Sequence, residues 1–229
     1  MTRVFVAMTA IIAVASFSAP ARADETTDEP AVDYGVGLRL RQVYVPEALI
    51  ELFVEDASSG VSHTGFGGEV IRRHGNFELS LGIEYEHINP DDGLWLEKGD
   101  TPGEPGESPD FVEFDGFGWV DADVTFAWHK PINDVLAFRY GAGFGLGIIF
   151  GDVLQTDTLC QPGGNINSCD PVESGAQGQY KDNADLPPVF PVINLLAGLQ
   201  LRPVENLTID IEVGLRSVAY AGTTVAYYF

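Results

Sequence analysis

The chain has 229 residues, with 12 Lys and Arg against 34 Asp and Glu and a formal net charge of −22. Binding to phosphate backbones needs clustered Lys and Arg, so this balance excludes nucleic acid as a partner. The 26 glycines, 14 phenylalanines and 8 tyrosines suit a β protein with tight turns, and the two cysteines form no CxxC-type metal motif.

The first 23 residues read as a secretory leader. Arg3 precedes an apolar run from Val4 to Phe17, and Ala21-Arg22-Ala23 gives a small–x–small cleavage site before Asp24. The apolar run is too short to cross a hydrocarbon core of ~30 Å. Residues 24–31 follow as a polar tail, and residues 32–229 carry the fold.

From residue 32 the pattern has period two, the signature of strands. "VDYGVGLRLRQVYV" sets Tyr34, Val36, Leu38 and Leu40 against Gly35, Gly37, Arg39 and Arg41. "TGFGGEVIRRHG" alternates less cleanly, because Arg72 interrupts one face and Ile71 the other. "FELSLGIEYEHI" opposes Phe77, Leu79, Leu81, Ile83 and Tyr85 to Glu78, Ser80, Gly82, Glu84 and Glu86. "GWVDADVTFAWHK" opposes Val120, Ala122, Val124, Phe126 and Trp128 to Trp119, Asp121, Asp123 and Thr125. "LAFRYGAGFGLGIIFG" puts bulky residues on one face and glycine with Arg139 on the other. "VINLLAGLQLR" and "LTIDIEVGLR" follow, the second with Thr208, Asp210, Glu212 and Arg216 on its polar side. The last strand, about residues 219–229, ends on "TTVAYYF".

Eight strands result, with one apolar face each and a polar or glycine face opposite. Short turns near residues 74–76, 131–133 and 203–205 alternate with long acidic connections at 46–60, 89–116 and 151–188; a further short connection lies near Ser217. Apolar-out, polar-in alternation with short turns at one end predicts an all-β fold: an eight-stranded antiparallel up-and-down transmembrane β-barrel with long external loops. Lipid leaves no backbone group unpaired, so the last strand must close on the first. An even strand count puts both termini at the tight-turn end, which the periplasm would hold.

With its leader, strand count, loop asymmetry and last strand, the chain resembles the small eight-stranded outer-membrane barrels of the outer membrane protein A barrel-domain and outer membrane protein X type. The resemblance implies residence in the outer membrane of a Gram-negative bacterium, among lipid and lipopolysaccharide, as a monomer without cofactors. It also implies that Val225, Tyr227 and Phe229 resemble the terminal signal read by the outer-membrane assembly machinery after periplasmic chaperones deliver the chain.

Inside the barrel the pattern places Arg39, Arg41, Arg139 and Arg216, with Arg73 a further candidate. Facing them are Glu78, Glu84, Glu86, Asp121, Asp123, Asp210 and Glu212, with Glu69 a further candidate. Eight strands leave a lumen about filled by side chains, so these charges predict an ion-pair plug, with Arg39 and Arg41 reaching Asp210 and Glu212. A narrow porin-like channel is the alternative. Cys160 and Cys169 flank the turn-prone "QPGGNINS" and predict a disulfide in an exported chain. The acidic loops are candidates for divalent cations but lack EF-hand spacing. Glu47, Glu51 and Glu55, beside Leu49, Ile50 and Phe53, suggest a short amphipathic helix. His63 and His87 near Ser58, Ser59 and Ser62 are the only hint of a lipid-modifying enzyme. No motif surrounds them, so no catalytic residue is assigned and a structural or surface-interaction role is expected.

Overall fold

In the computed structural model the described residues are 31–45, 54–56, 61–88, 90–97, 99–100, 108–161, 163–175, 178–184 and 186–229. The leader, most of the polar tail and residues 46–53 of the amphipathic segment lie outside them; the end of that segment, Val54–Asp56 with Glu55, is strand rather than the expected helix.

Eight long strands carry the architecture: β1 (Val32–Val45), β2 (Val61–His74), β3 (Phe77–His87), β4 (Asp110–Pro131), β5 (Leu136–Cys160), β6 (Val189–Val204), β7 (Leu207–Arg216) and β8 (Val218–Tyr228). Each pairs antiparallel with the next, and β8 pairs with β1 from Gly35↔Tyr228 to Tyr44↔Ala219, so no edge remains in the ring. The last peptide group takes part: Phe229 N–H donates to the Tyr34 carbonyl at 2.9 Å.

The register fixes the shape. Leu199 pairs with Ile211, and the row continues through Thr223, Leu40, Phe66, Tyr85, Val120 and Ile148 before returning to β6 at Val189. One circuit therefore slips along β6 from Leu199 to Val189. A stagger of that size over eight strands tilts them by about 40° and leaves a lumen that side chains can fill.

The faces are inverted relative to a water-soluble barrel. Leu38 is 74% exposed and Ile193 63%, whereas Arg39 is 4% exposed and Glu84 0%. A hydrocarbon solvent reverses the usual distribution, so this is the surface of a transmembrane barrel. Rings gather near both ends of the apolar band. Trp128, Tyr140, Phe138 and Phe77 cluster at the tight-turn end, and Phe66, Tyr85 and Phe150 at the other.

The irregular second strand obeys the same rule. Ile71 faces the lumen, buried with Ala226 and Tyr228 in a small apolar layer at the tight-turn end. Arg72 faces outward two positions before His74, the last residue of the strand, at the margin of the band where a long cation can reach polar surroundings. The turns are short for local reasons. Gly75 adopts φ 59° in the β2–β3 turn, and the Asn133 side chain accepts from the N–H groups of Val135 and Leu136 at 2.9 and 2.8 Å.

The opposite end departs from the sequence reading. Strand β5 does not stop at Phe150 but runs to Cys160, and β4 starts at Asp110, so this hairpin projects beyond the barrel. A register shift between Asp115 and Gly118 marks the exit. There Gly116 and Gly151 take φ +62° and +84°, and a Cβ on Gly151 would strike the Gly116 backbone within 2.6 Å. Gly93–Glu97 pairs with β4 on one side, with Val54–Asp56 beyond it, and Cys169–Pro171 and Asp182–Asn183 pair with β5 on the other. The connections read as open loops thus carry an outward extension of the barrel sheet, the outer sheet, with apolar residues of its own: Val112, Leu96 and Val172 are buried.

Candidate functional site: the charged lumen

Alternation places the inward residues of all eight strands in one enclosed column. Five arginines (Arg39, Arg41, Arg73, Arg139, Arg216) and eight carboxylates (Glu69, Glu78, Glu84, Glu86, Asp121, Asp123, Asp210, Glu212) are buried in it. Arg73 and Glu69, on the strand with the weakest alternation, both belong to this inward set.

The ion pairs form one continuous chain along the column. At the tight-turn end Arg73 donates to Glu78 at 2.6 Å. The other Glu78 oxygen accepts from Arg139 at 2.9 Å, and Arg139 also donates to Glu212. Glu212 accepts from Arg41 at 2.9 Å, and Arg41 lies 3.3 Å from Glu84. Glu84 accepts from Arg216 at 2.8 Å, which in turn donates to Asp121 and, at 2.6 Å, to Asp123. Asp123 accepts from Arg39 at 2.7 Å, and Arg39 ends the chain on Glu69 at 2.5 to 2.9 Å.

Two expectations are corrected here. Arg41 does reach Glu212, but Arg39 does not pair with Asp210 or Glu212; it turns toward Glu69 and Asp123. The reason is space on β3. A Cβ on Gly82 would lie 2.5 Å from Arg39 Cζ, so the glycine vacates the volume the guanidinium fills. Asp210 instead accepts from the Gln200 amide at 2.8 Å.

Several partners escaped the sequence reading. His129 is 7% exposed and sits 3.2 Å from Glu78. Tyr228 donates to Glu78 at 2.9 Å, and its ring lies under the Arg73 guanidinium at 4.5 Å. The Tyr220 ring lies 4.4 Å from Arg41. Both tyrosines share the inward parity of Gly222, Thr224 and Ala226, which was the signal available for them. Asn194, fully buried, donates to Thr125 at 2.9 Å.

Apolar layers close the column at each end. Ile71, Ala226 and Tyr228 lie at the tight-turn end. At the other, Val43 packs with Leu196 and Tyr220, and Trp119 meets Phe190 edge-on at 5.6 Å. Below the tight-turn layer a vestibule of about 320 Å³ opens between Arg73, His129, Gln200 and Arg202.

Beyond the barrel, Lys181 donates to Glu113 at 2.7 Å and ties the outer sheet together; that contact raises the ammonium pKa above its ordinary value. Cys160 and Cys169 form the expected disulfide. Closing so short a segment contributes roughly 2–3 kcal/mol in the chain-entropy treatment. Its effect should stay local, because the ring of strands is closed by its own hydrogen bonds. Cys160→Ser with Cys169→Ser is expected to speed proteolysis of the outer sheet while leaving the barrel's urea midpoint unchanged. Among the described residues no group of three His, Cys, Asp or Glu side chains could hold a metal ion.

No family model matches the chain, and no curated protein matches it in sequence. Among solved structures it is similar to the N-terminal β-barrel domain of Pseudomonas aeruginosa OprF, at 13% identity and TM-score 0.41 over 86% of this chain and 97% of that one. It is also similar to Neisserial surface protein A, at 8% identity and TM-score 0.43 over 87% and 99%. The attachment invasion locus protein Ail of Yersinia pestis matches at 11% identity and TM-score 0.34 over 88% and 99%. At these values the architecture rests on the strand register above rather than on the likeness.

Proposed function

We propose that this chain is an integral outer-membrane barrel of a Gram-negative bacterium with a closed, charge-plugged lumen, acting as a structural or surface-interaction protein through the acidic sheet at its long-loop end. One observation carries the reading: a continuous ion-pair chain fills the column, under apolar layers at both ends, inside an apolar outer surface. Buried guanidinium and carboxylate groups need partners, and here the partners span the lumen from wall to wall. Water would have to replace them to make a pore. The tight turns and both termini face the periplasm in this reading, and the outer sheet faces outward past lipopolysaccharide. Binding by the outer sheet, not catalysis, is its activity.

Planar-bilayer recording of refolded protein tests the plug: silent insertions are expected, and a steady ion-selective conductance would replace the plug with the channel. Delivery is tested separately. Val225, Tyr227 and Phe229 project outward on the closing strand, available to the assembly machinery, so deleting Phe229 should reduce heat-modifiable barrel in the outer membrane. Unchanged levels would remove the assembly role from these residues.

A further inference from the structure

Among the described residues the closed column holds eight carboxylates against five guanidinium groups. Five guanidinium groups cannot match eight ionised carboxylates, and the lipid around them supplies no counter-charge. An uncompensated charge in such a place is far costlier than at a surface. The shortfall is not spread evenly. Glu69, Glu78, Glu84, Asp121, Asp123 and Glu212 each sit within 4 Å of an arginine nitrogen.

Glu86 is different. It lies on the inward face of β3 near the long-loop end, 2% exposed, and its Oε2 has no hydrogen-bond partner. Glu84, two residues along the same face, uses Oε2 for Arg216 and Arg41, while its Oε1 is also without a partner. Gly65 opposite makes room for the Glu86 chain, since a Cβ there would lie 2.7 Å from Glu86 Cγ. Two unpartnered carboxylate oxygens thus share one buried wall where negative charge is in excess.

We infer that Glu86 and Glu84 hold a small hard divalent cation of the magnesium class at the long-loop end of the plug. Magnesium is commonly held by one or two carboxylates while water completes its shell, so the site does not require three acidic side chains to converge. The ion would offset most of the excess charge and join the last unpartnered oxygens to the ion-pair chain. This inference rests on the lumen being closed, as proposed above.

Trp119 pairs across from Glu86 in the β3–β4 register, so its indole can sensitise a lanthanide bound there. Refolded full-length protein titrated with terbium should show Trp-excited emission that magnesium competes away. Glu86→Gln should lose that emission and the rise in thermal midpoint that magnesium gives wild type at fixed ionic strength. Asp115→Asn, on the exposed outer hairpin, should keep both, which separates the lumen from the acidic loops. Should Glu86→Gln fail to fold, Trp119→Phe decides: it should lose the emission but keep the magnesium-dependent midpoint. Absence of wild-type emission, its survival in Glu86→Gln or in Trp119→Phe, or its loss in Asp115→Asn would overturn the site. A silent lumen without terbium binding would sink this inference alone, whereas a conducting lumen would sink the plug on which it rests.

Discussion

Glu212→Ala is expected to destabilise the barrel by about 3–5 kcal/mol, the usual cost of stranding one member of a buried ion pair. Glu212 links Arg41 and Arg139, one oxygen to each. Both guanidinium groups are almost fully buried. Without the carboxylate, Arg41 keeps Glu84 at 3.3 Å and Arg139 keeps Glu78 at 2.9 Å, but the chain is cut at its middle. The measurement is the urea midpoint of refolded protein, followed by tryptophan emission and by heat-modifiable mobility. Arg41→Ala with Glu212→Ala should cost clearly less than the sum of the two singles, because they share one contact. Arg39→Ala with Glu212→Ala should couple more weakly, since Arg39 pairs with Glu69 and Asp123 instead. Near-neutral single variants would mean that water reaches and screens these charges.

The barrel could be read from sequence because lipid enforces a strict rule on each strand. Period two in "FELSLGIEYEHI" decided which side of β3 faced the lumen, and the burial of Glu78, Glu84 and Glu86 follows that alternation residue by residue. Parity does not say which arginine meets which carboxylate. That depends on the stagger between strands and on where glycine leaves room, and both are properties of the closed ring. Hence Arg41 was matched to Glu212 by simple proximity, while Arg39 was drawn away by the space above Gly82. Tyr220 and Tyr228 could have been assigned inward by parity, but their aromatic rings suggest the lipid face by composition. The outer hairpin was harder for another reason. "DFVEFD" and "DVLQTD" break period two at Phe111-Val112 and Val153-Leu154, so no clean alternation marks them as strands. Here the neighbouring short strands decide the matter, and their pairing is non-local.

Gly82→Ala should be disproportionately harmful for so small a change. A Cβ at this position would lie within 2.5 Å of Arg39 Cζ and 2.8 Å of Arg39 Nη2. A flexible cation at a wet surface would swing aside at little cost. Arg39 has less freedom, because its guanidinium is held by Glu69 at 2.5 to 2.9 Å, by Asp123 at 2.7 Å and by the Ser80 hydroxyl at 3.4 Å. Moving it breaks at least one of these bonds in a site without solvent to replace it. Overpacking alone costs ~1–3 kcal/mol, and a displaced guanidinium adds the penalty of an unpaired buried carboxylate. A loss of about 2–4 kcal/mol is therefore expected in the urea midpoint. Adding Arg39→Met should cost less than the sum of the two single changes, since the crowding guanidinium is then gone and both changes disturb one contact. If the lumen is instead an aqueous pore, Arg39 relaxes into water, Gly82→Ala is silent for stability, and its effect is confined to ion selectivity.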